Sequence, residues 1–138
     1  VIAIVPFEVG HLARIEPPLV SPGRAAAHPP ASVIGPAFTA IAEDGAVLGC
    51  AGVVVHGSVG EAWAVLSDEA RRRPLFLHRR VKRGLAAIVR EHGLLRVEAA
   101  AHGDHPAAQS WLRRLGFRED GAEPNYLGTG HTYVRYVK

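Results

Sequence analysis

The stretch from Gly60 to Phe117 constrains the chain more than any other, because it reads strand, charged loop, helix, strand, loop, helix, strand. Glu61 to Ser67 has the branched and aromatic content of a strand. Asp68 to Pro74 is charged and includes Arg71, Arg72 and Arg73 in succession. Leu75 to His92 sets Leu77, Val81, Leu85, Ile88 and Val89 on one helical face and Arg79, Arg83 and Arg90 on another, and Gly93 follows as a stop. In Leu94 to Ala101, Val97, Ala99 and Ala101 alternate with Glu98 and Ala100, as a strand requires. Pro106 to Leu115 is a second helix. Asp104 or His105 can cap it, Pro106 suits its first position, and Ala108, Trp111, Leu112 and Leu115 make its buried stripe before Gly116. Strand–helix–strand units this short predict neighbouring parallel strands with a right-handed crossover.

The flanks add antiparallel elements. Val1 to Val5 reads as a short buried strand, and Phe7 to Ile15 carries a weak helical pattern. From Pro17 to Pro36 the chain spends six of its ten prolines, which predicts a long surface loop with one short helical turn near Arg24 to Ala27. Ala37 to Ala42 and Val47 to His56 are strands around a turn at Glu43 to Ala46. Gly57 to Gly60 then turns the chain into Glu61 to Ser67, giving a three-stranded meander. After Phe117, Gly121 to Pro124 reads as a turn, and Asn125 to Leu127 with His131 to Lys138 as a terminal hairpin.

With 138 residues, the expectation is one α/β domain over 1–138 with a core of its own. No apolar run approaches the roughly 20 residues needed to cross a bilayer, and the opening residues are too short and uncharged for a secretory signal. The lone Cys50 rules out an internal disulfide and reads as a core residue. These features point to the cytoplasm. The net charge is +3, and nine of 16 basic residues fall between Arg71 and Arg96. Such a patch favours an anionic partner, or is a solvated helix face. Nucleic-acid binding would make affinity fall steeply with salt, but no recognised nucleic-acid module accompanies the patch.

The order of elements from Phe38 to Lys138 resembles the GNAT family of N-acetyltransferases. The closest local match is Pro106-Ala107-Ala108-Gln109-Ser110-Trp111-Leu112-Arg113-Arg114-Leu115-Gly116-Phe117, which looks like the family's fourth helix and the Gly-Phe after it. The resemblance implies a mixed sheet, an antiparallel meander plus a central parallel pair, flanked by helices. It implies acetyl-CoA as donor and an amine, on a small molecule or a protein, as acceptor. The cofactor pyrophosphate would sit at the helix N-terminus after the fourth strand, where backbone N–H groups and the helix dipole favour an anion. The pantetheine arm would lie between the parallel strands. By this resemblance Leu66, Arg71, Arg72, Arg73 and His78 are the candidate cofactor residues.

The sequence departs from the family pattern at two places. Arg73 can stand for the family's Arg or Gln, but Pro74, Phe76 and His78 occupy the glycine places. Leu112 stands where a Tyr serves the thiolate, and His105 replaces an Asn. The Glu61-Ala62-Trp63 strand and the glycine-free loop are similar to the divergent bacteriophage acyltransferase-like and internal virion proteins. That likeness implies a structural or accessory role, with protein assembly partners and a virion location.

Glu61, at the start of the central strand, can act as a general base on the acceptor ammonium, or sit exposed at a strand end. His102-Gly103-Asp104-His105 can supply a base, with His105 as the second catalytic candidate, or part of a metal site, or simply cap a helix. Its spacing matches no standard metal motif. Arg71 to Arg73 precede a helix whose dipole they oppose unless an anion lies between, or they pair with Asp68 and Glu69. Tyr126, Tyr133 and Tyr136 are candidate proton donors to a thiolate, or pack.

Overall fold

A computed structural model describes residues 2–15, 35–104, 106–124 and 132–138, with the backbone alone for His102. The elements run β1 (Ala3–Pro6), a 3-10 helix (Val9–Arg14), β2 (Ala37–Ile41), β3 (Val47–His56), β4 (Val59–Leu66), α1 (Asp68–Arg71), α2 (Pro74–His92), β5 (Arg96–His102), α3 (Pro106–Arg114), β6 (Arg118–Glu123) and β7 (Tyr133–Val137). Among the described residues the strands form one seven-stranded sheet in the order β1-β2-β3-β4-β5-β7-β6. Every neighbouring pair is antiparallel except β4 and β5, which are parallel across the α2 crossover. This is the mixed sheet with a central parallel pair that the periodicities predict.

Alternation along β5 assigns the two faces of the sheet. Val97, Ala99 and Ala101 are buried in one cluster with Leu85 and Ile88 of α2 and with Leu115, Phe117 and Tyr136, and Ala62 of β4 packs on it. Opposite, Val65, Cys50, Val47 and Ile15 form a second cluster with Phe7, Leu12 and Trp63 against it. The helices α2 and α3 therefore cover one face, and the 3-10 helix covers β3 and β4 on the other. Trp63 and Trp111 are both half-buried aromatics against these clusters, and Cys50 is 1% exposed. Gly93 ends α2 at φ 60°, the left-handed geometry that a helix stop asks of glycine.

Four expectations are corrected. Asp68 to Pro74 is not all loop: Ser67 leaves β4 to become an N-cap, its Oγ accepting from Ala70 N at 3.1 Å, and one helical turn forms. The weak pattern at Phe7 to Ile15 is a 3-10 helix rather than an α-helix. Gly121 to Pro124 is not a turn. β6 runs through Gly121, whose φ of 115° lies within a register shift between Glu119 and Ala122, the bulge geometry that glycine permits. The terminal hairpin is also re-paired: β7 begins at Tyr133 and its partners are β6 and β5. The expected strand at Asn125 to Leu127, the helical turn at Arg24 to Ala27 and nearly all of the Pro17 to Pro36 loop lie outside the described residues. Among the described residues no helix is long and apolar enough to cross a membrane.

Candidate active site

Parallel pairing of β4 and β5 is confined to Val59↔Arg96, Gly60↔Val97 and Glu61↔Glu98. Both strands run on, but each keeps only its outer neighbour. β4 stays on β3 as far as Leu66↔Gly49, and β5 stays on β7 as far as His102↔Tyr133. The facing backbone edges of 62–66 and 99–102 are not paired with each other and open as a wedge. An extended amide-bearing chain can enter such a wedge as a strand adds to a sheet edge.

Glu61 stands at the last rung before the wedge, on the face away from α2 and α3, two residues from Trp63 on the same strand face. Trp63 is held edge-on by the Phe7 ring, with centroids 5.2 Å apart. Glu98, opposite Glu61, belongs to an ion-pair lattice that local sequence reading missed. Arg96 Nε donates to Glu98 Oε1 at 2.9 Å and Arg96 Nη2 to Asp120 Oδ2 at 3.1 Å. Arg135 Nη1 donates to the same Glu98 Oε1 at 3.3 Å, and Arg135 also binds Glu123. The bond to Glu98 is the largest influence on Arg96 and pushes its pKa further up, with Asp120 adding to it.

The basic turn begins where β4 stops. Arg71 pairs with Asp68 at 3.7 Å, and Arg72 and Arg73 pair with Glu69 at 2.9 and 3.6 Å, all on exposed side chains. Arg73 is also the N-cap residue of α2 but makes no side-chain cap bond, and the first turn of α2 contains no acid. Pro74 has no N–H, and Leu77 N already donates to Arg73 O, so the backbone donors left for an anion are those of Leu75 and Phe76. Farther along α2, His78 Nδ1 and Arg80 Nε are shut off from solvent and have no hydrogen-bond partner among the described residues. Arg80 was not singled out from sequence; only its place one turn after Phe76 could have signalled it. Leu66 lies at the end of β4 and, with Arg73, Phe76, Leu77 and Arg80, lines a small apolar cavity of about 30 Å³ beneath α2. These residues fit phosphates through cations and a helix start rather than through a glycine cradle.

On the far side of the wedge, α3 presents Leu112, packed against the core, at the place where the resemblance implies a Tyr. Tyr136 reaches this region from β7: it is fully buried, donates to Gln109 Oε1 at 3.1 Å and lies under the Arg113 guanidinium at 5.6 Å. Gln109 Nε2 in turn donates to Gly103 O at 3.0 Å, fixing the turn that leads into α3. Tyr133 is buried, and burial raises its pKa. His105, Tyr126 and the His102 side chain lie outside the described residues. Among the described residues no group of His, Cys, Asp and Glu is placed to hold a metal ion.

No protein-family model and no curated protein sequence matches the chain. Solved structures do. The spermidine N-acetyltransferase SpeG from Vibrio cholerae, as its F149G mutant, superimposes with TM-score 0.75 at 13% identity, over 99% of this chain and 92% of that one. The ribosomal-protein-S5-alanine acetyltransferase from Vibrio fischeri gives TM-score 0.68 at 18% identity over 76% of this chain, and the match spans 61% of that enzyme's length. Together with the sheet order and the wedge between β4 and β5, these likenesses show that the chain has the fold of the GNAT N-acetyltransferases.

Proposed function

We propose that the chain transfers an acetyl group from acetyl-CoA to an amine. The observation that carries this reading is the wedge between β4 and β5, which opens beside the start of α2. The wedge suits the two amides of a pantetheine arm, and the start of α2 with Arg71, Arg72, Arg73 and His78 suits the phosphates. The fold shared with a spermidine N-acetyltransferase supports a small-molecule amine as acceptor.

When bound, acetyl-CoA supplies an acyl group activated as a thioester. The chain's own residues then position and deprotonate. Glu61 takes one proton from the acceptor ammonium at a carboxylate oxygen. The amine lone pair forms the C–N bond as the C–S bond breaks, and the departing thiolate takes a second proton from the nitrogen. The products are the amide and the free thiol, with the first proton passing from Glu61 to water.

Titration of the protein with acetyl-CoA by calorimetry, beside an Arg72→Ala, Arg73→Ala double variant, tests the cofactor half. Binding that weakens in the variant is expected. No heat at millimolar acetyl-CoA would end the reading. Thiol release across a panel of amines tests the acceptor half.

A further inference from the structure

We propose that the exposed face of α2 binds the phosphate backbone of a nucleic-acid duplex, independently of the acyl-transfer site. Helical periodicity builds the surface. Arg79, Lys82, Arg83 and Arg90 are separated by three, four and seven residues, which keeps them within an arc of about 100°. All four are exposed, and the small Ala86 stands among them. The row runs about 16 Å along the helix. On the other side of α2, Leu85 and Ile88 are buried in the core, so the charges sit on a rigid element.

These charges are uncompensated. Arg71, Arg72, Arg73, Arg96, Arg113 and Arg135 each face a carboxylate. The side chains of Arg79, Lys82, Arg83 and Arg90 make no hydrogen bond or ion pair with any described residue. Glu91 is the one acid in the α2 sequence. The helix holds five of the 16 basic residues and one of the 13 acids, so the rest of the chain is slightly acidic and the positive field is concentrated here. Arg79 also lies one turn from both Lys82 and Arg83, a like-charge conflict that an anionic polymer relieves.

The make-up of the row selects its partner. Protein interfaces are anchored by apolar and aromatic side chains with charges kept from the centre, and this centre is cationic around one alanine. A membrane-bound helix buries an apolar face, but that of α2 is already packed on the sheet. Single strands gain affinity by stacking bases on aromatic side chains, and the row has none. A duplex asks only for cations. It carries one phosphate charge per roughly 1.7 Å, so a straight row of about 16 Å meets several phosphates without ordering a flexible chain. Guanidiniums add bidentate pairing to phosphate oxygens. Backbone contacts of this kind carry no sequence information and need no recognised nucleic-acid module.

Fluorescence anisotropy with a labelled DNA duplex of about 20 base pairs tests this. The wild type should bind with a micromolar Kd at 50 mM salt, weakening about 50- to 150-fold by 200 mM as three or four phosphate contacts are screened. The triple variant Arg79→Gln, Arg83→Gln, Arg90→Gln should lose measurable binding. Glutamine suits an exposed helix, and an unchanged urea midpoint checks that the variant is folded. The matching triple lysine variant keeps the charge and should keep the salt slope. Arg83→Gln alone should lower that slope by about 1. Arg118→Gln, which removes an exposed charge from β6, should leave it unchanged. Full binding by the triple glutamine variant would overturn the proposal. So would an equal loss of slope in Arg118→Gln, which would reduce the effect to net charge. Equally tight binding of the single strand, or capture by phosphatidylserine vesicles without any affinity for the duplex, would also overturn it.

Discussion

Glu69 pairs with two arginines at once: its Oε2 accepts from Arg72 Nη1 at 2.9 Å, and its Oε1 lies in an ion pair 3.6 Å from Arg73 Nη2. Asp68 and Glu69 thus offset two of the three arginine charges before α2 on an exposed surface, and a phosphate arriving there must compete with Glu69. Glu69→Gln removes the competitor and one negative charge while leaving the capped turn in place. Surface pairs of this kind are worth about 0–1 kcal/mol, so acetyl-CoA affinity should rise up to about fivefold. Calorimetry at low and high salt checks it, with the gain shrinking as salt screens the arginines. Weaker binding in the variant would mean that Glu69 orients the arginines rather than occupying them.

Ser67 decides whether that turn exists. Its Oγ accepts from Ala70 N at 3.1 Å, and both residues are buried. Ser67→Ala leaves a buried N–H without its acceptor, so it should cost about 1 kcal/mol in urea unfolding. It should weaken acetyl-CoA as well, because Arg71 to Arg73 are carried on the turn it caps. A stability loss with unchanged affinity would separate the cap from the site.

The parts of this fold that were legible from sequence are those set by local periodicity. The stripe through Leu85 and Ile88, the alternation of Val97, Ala99 and Ala101, and the stop at Gly93 each repeat within a few residues. Ser67 reads locally as the last residue of a strand before a charged loop, and only the structure shows it as the cap of a helical turn. Gly121 reads as a turn to any local rule, because a bulge is defined only by the partner strand. The face that carries Glu61 and Glu98 was less accessible still. Glu98 meets Arg135 across 37 residues and Arg96 meets Asp120 across 24, so no local pattern announces the lattice. The wedge depends on where two strands stop pairing, which Glu61 and Glu98 do not signal by their identity.

Gly60 marks the closed end of the wedge. It pairs with Val97 on β5 and Val55 on β3. A Cβ built there would stand 2.6 Å from Val53 Cγ1 and 2.8 Å from Leu94 Cδ1. Both neighbours are buried in the α2-side core, so neither yields freely. Gly60→Ala should therefore destabilise the protein by about 1–3 kcal/mol. Pushing β4 away from β5 at the rung beside Glu61 and Glu98 should also raise the amine KM. Urea unfolding and steady-state kinetics on one preparation test both, and an unchanged midpoint would show that the core repacks around the methyl.

Cys50 provides the pH prediction. Burial raises its thiol pKa above the ordinary 9.0, and the weaker, opposite influence is the hydrogen-bonding contact with Thr39 Oγ1 at 3.4 Å. Below about pH 8.5 the thiol is protonated in both folded and unfolded chains, and its contribution to stability is fully present. As pH rises past the unfolded value, the unfolded chain gives up the proton while the folded chain keeps it. The unfolded state then binds fewer protons, so stability falls with rising pH until the folded thiol also ionises. Between pH 7.5 and 9.5 this amounts to at most about 1 kcal/mol. Cys50→Ala should be less stable than wild type at pH 7.5, because it leaves a small cavity, but the gap should narrow at pH 9.5. Urea unfolding under reducing conditions at the two pH values measures it. Iodoacetamide should leave Cys50 untouched in the folded protein and label it in urea. A gap that stays constant with pH, or rapid labelling of the folded chain, would show that the thiol already ionises in the folded state.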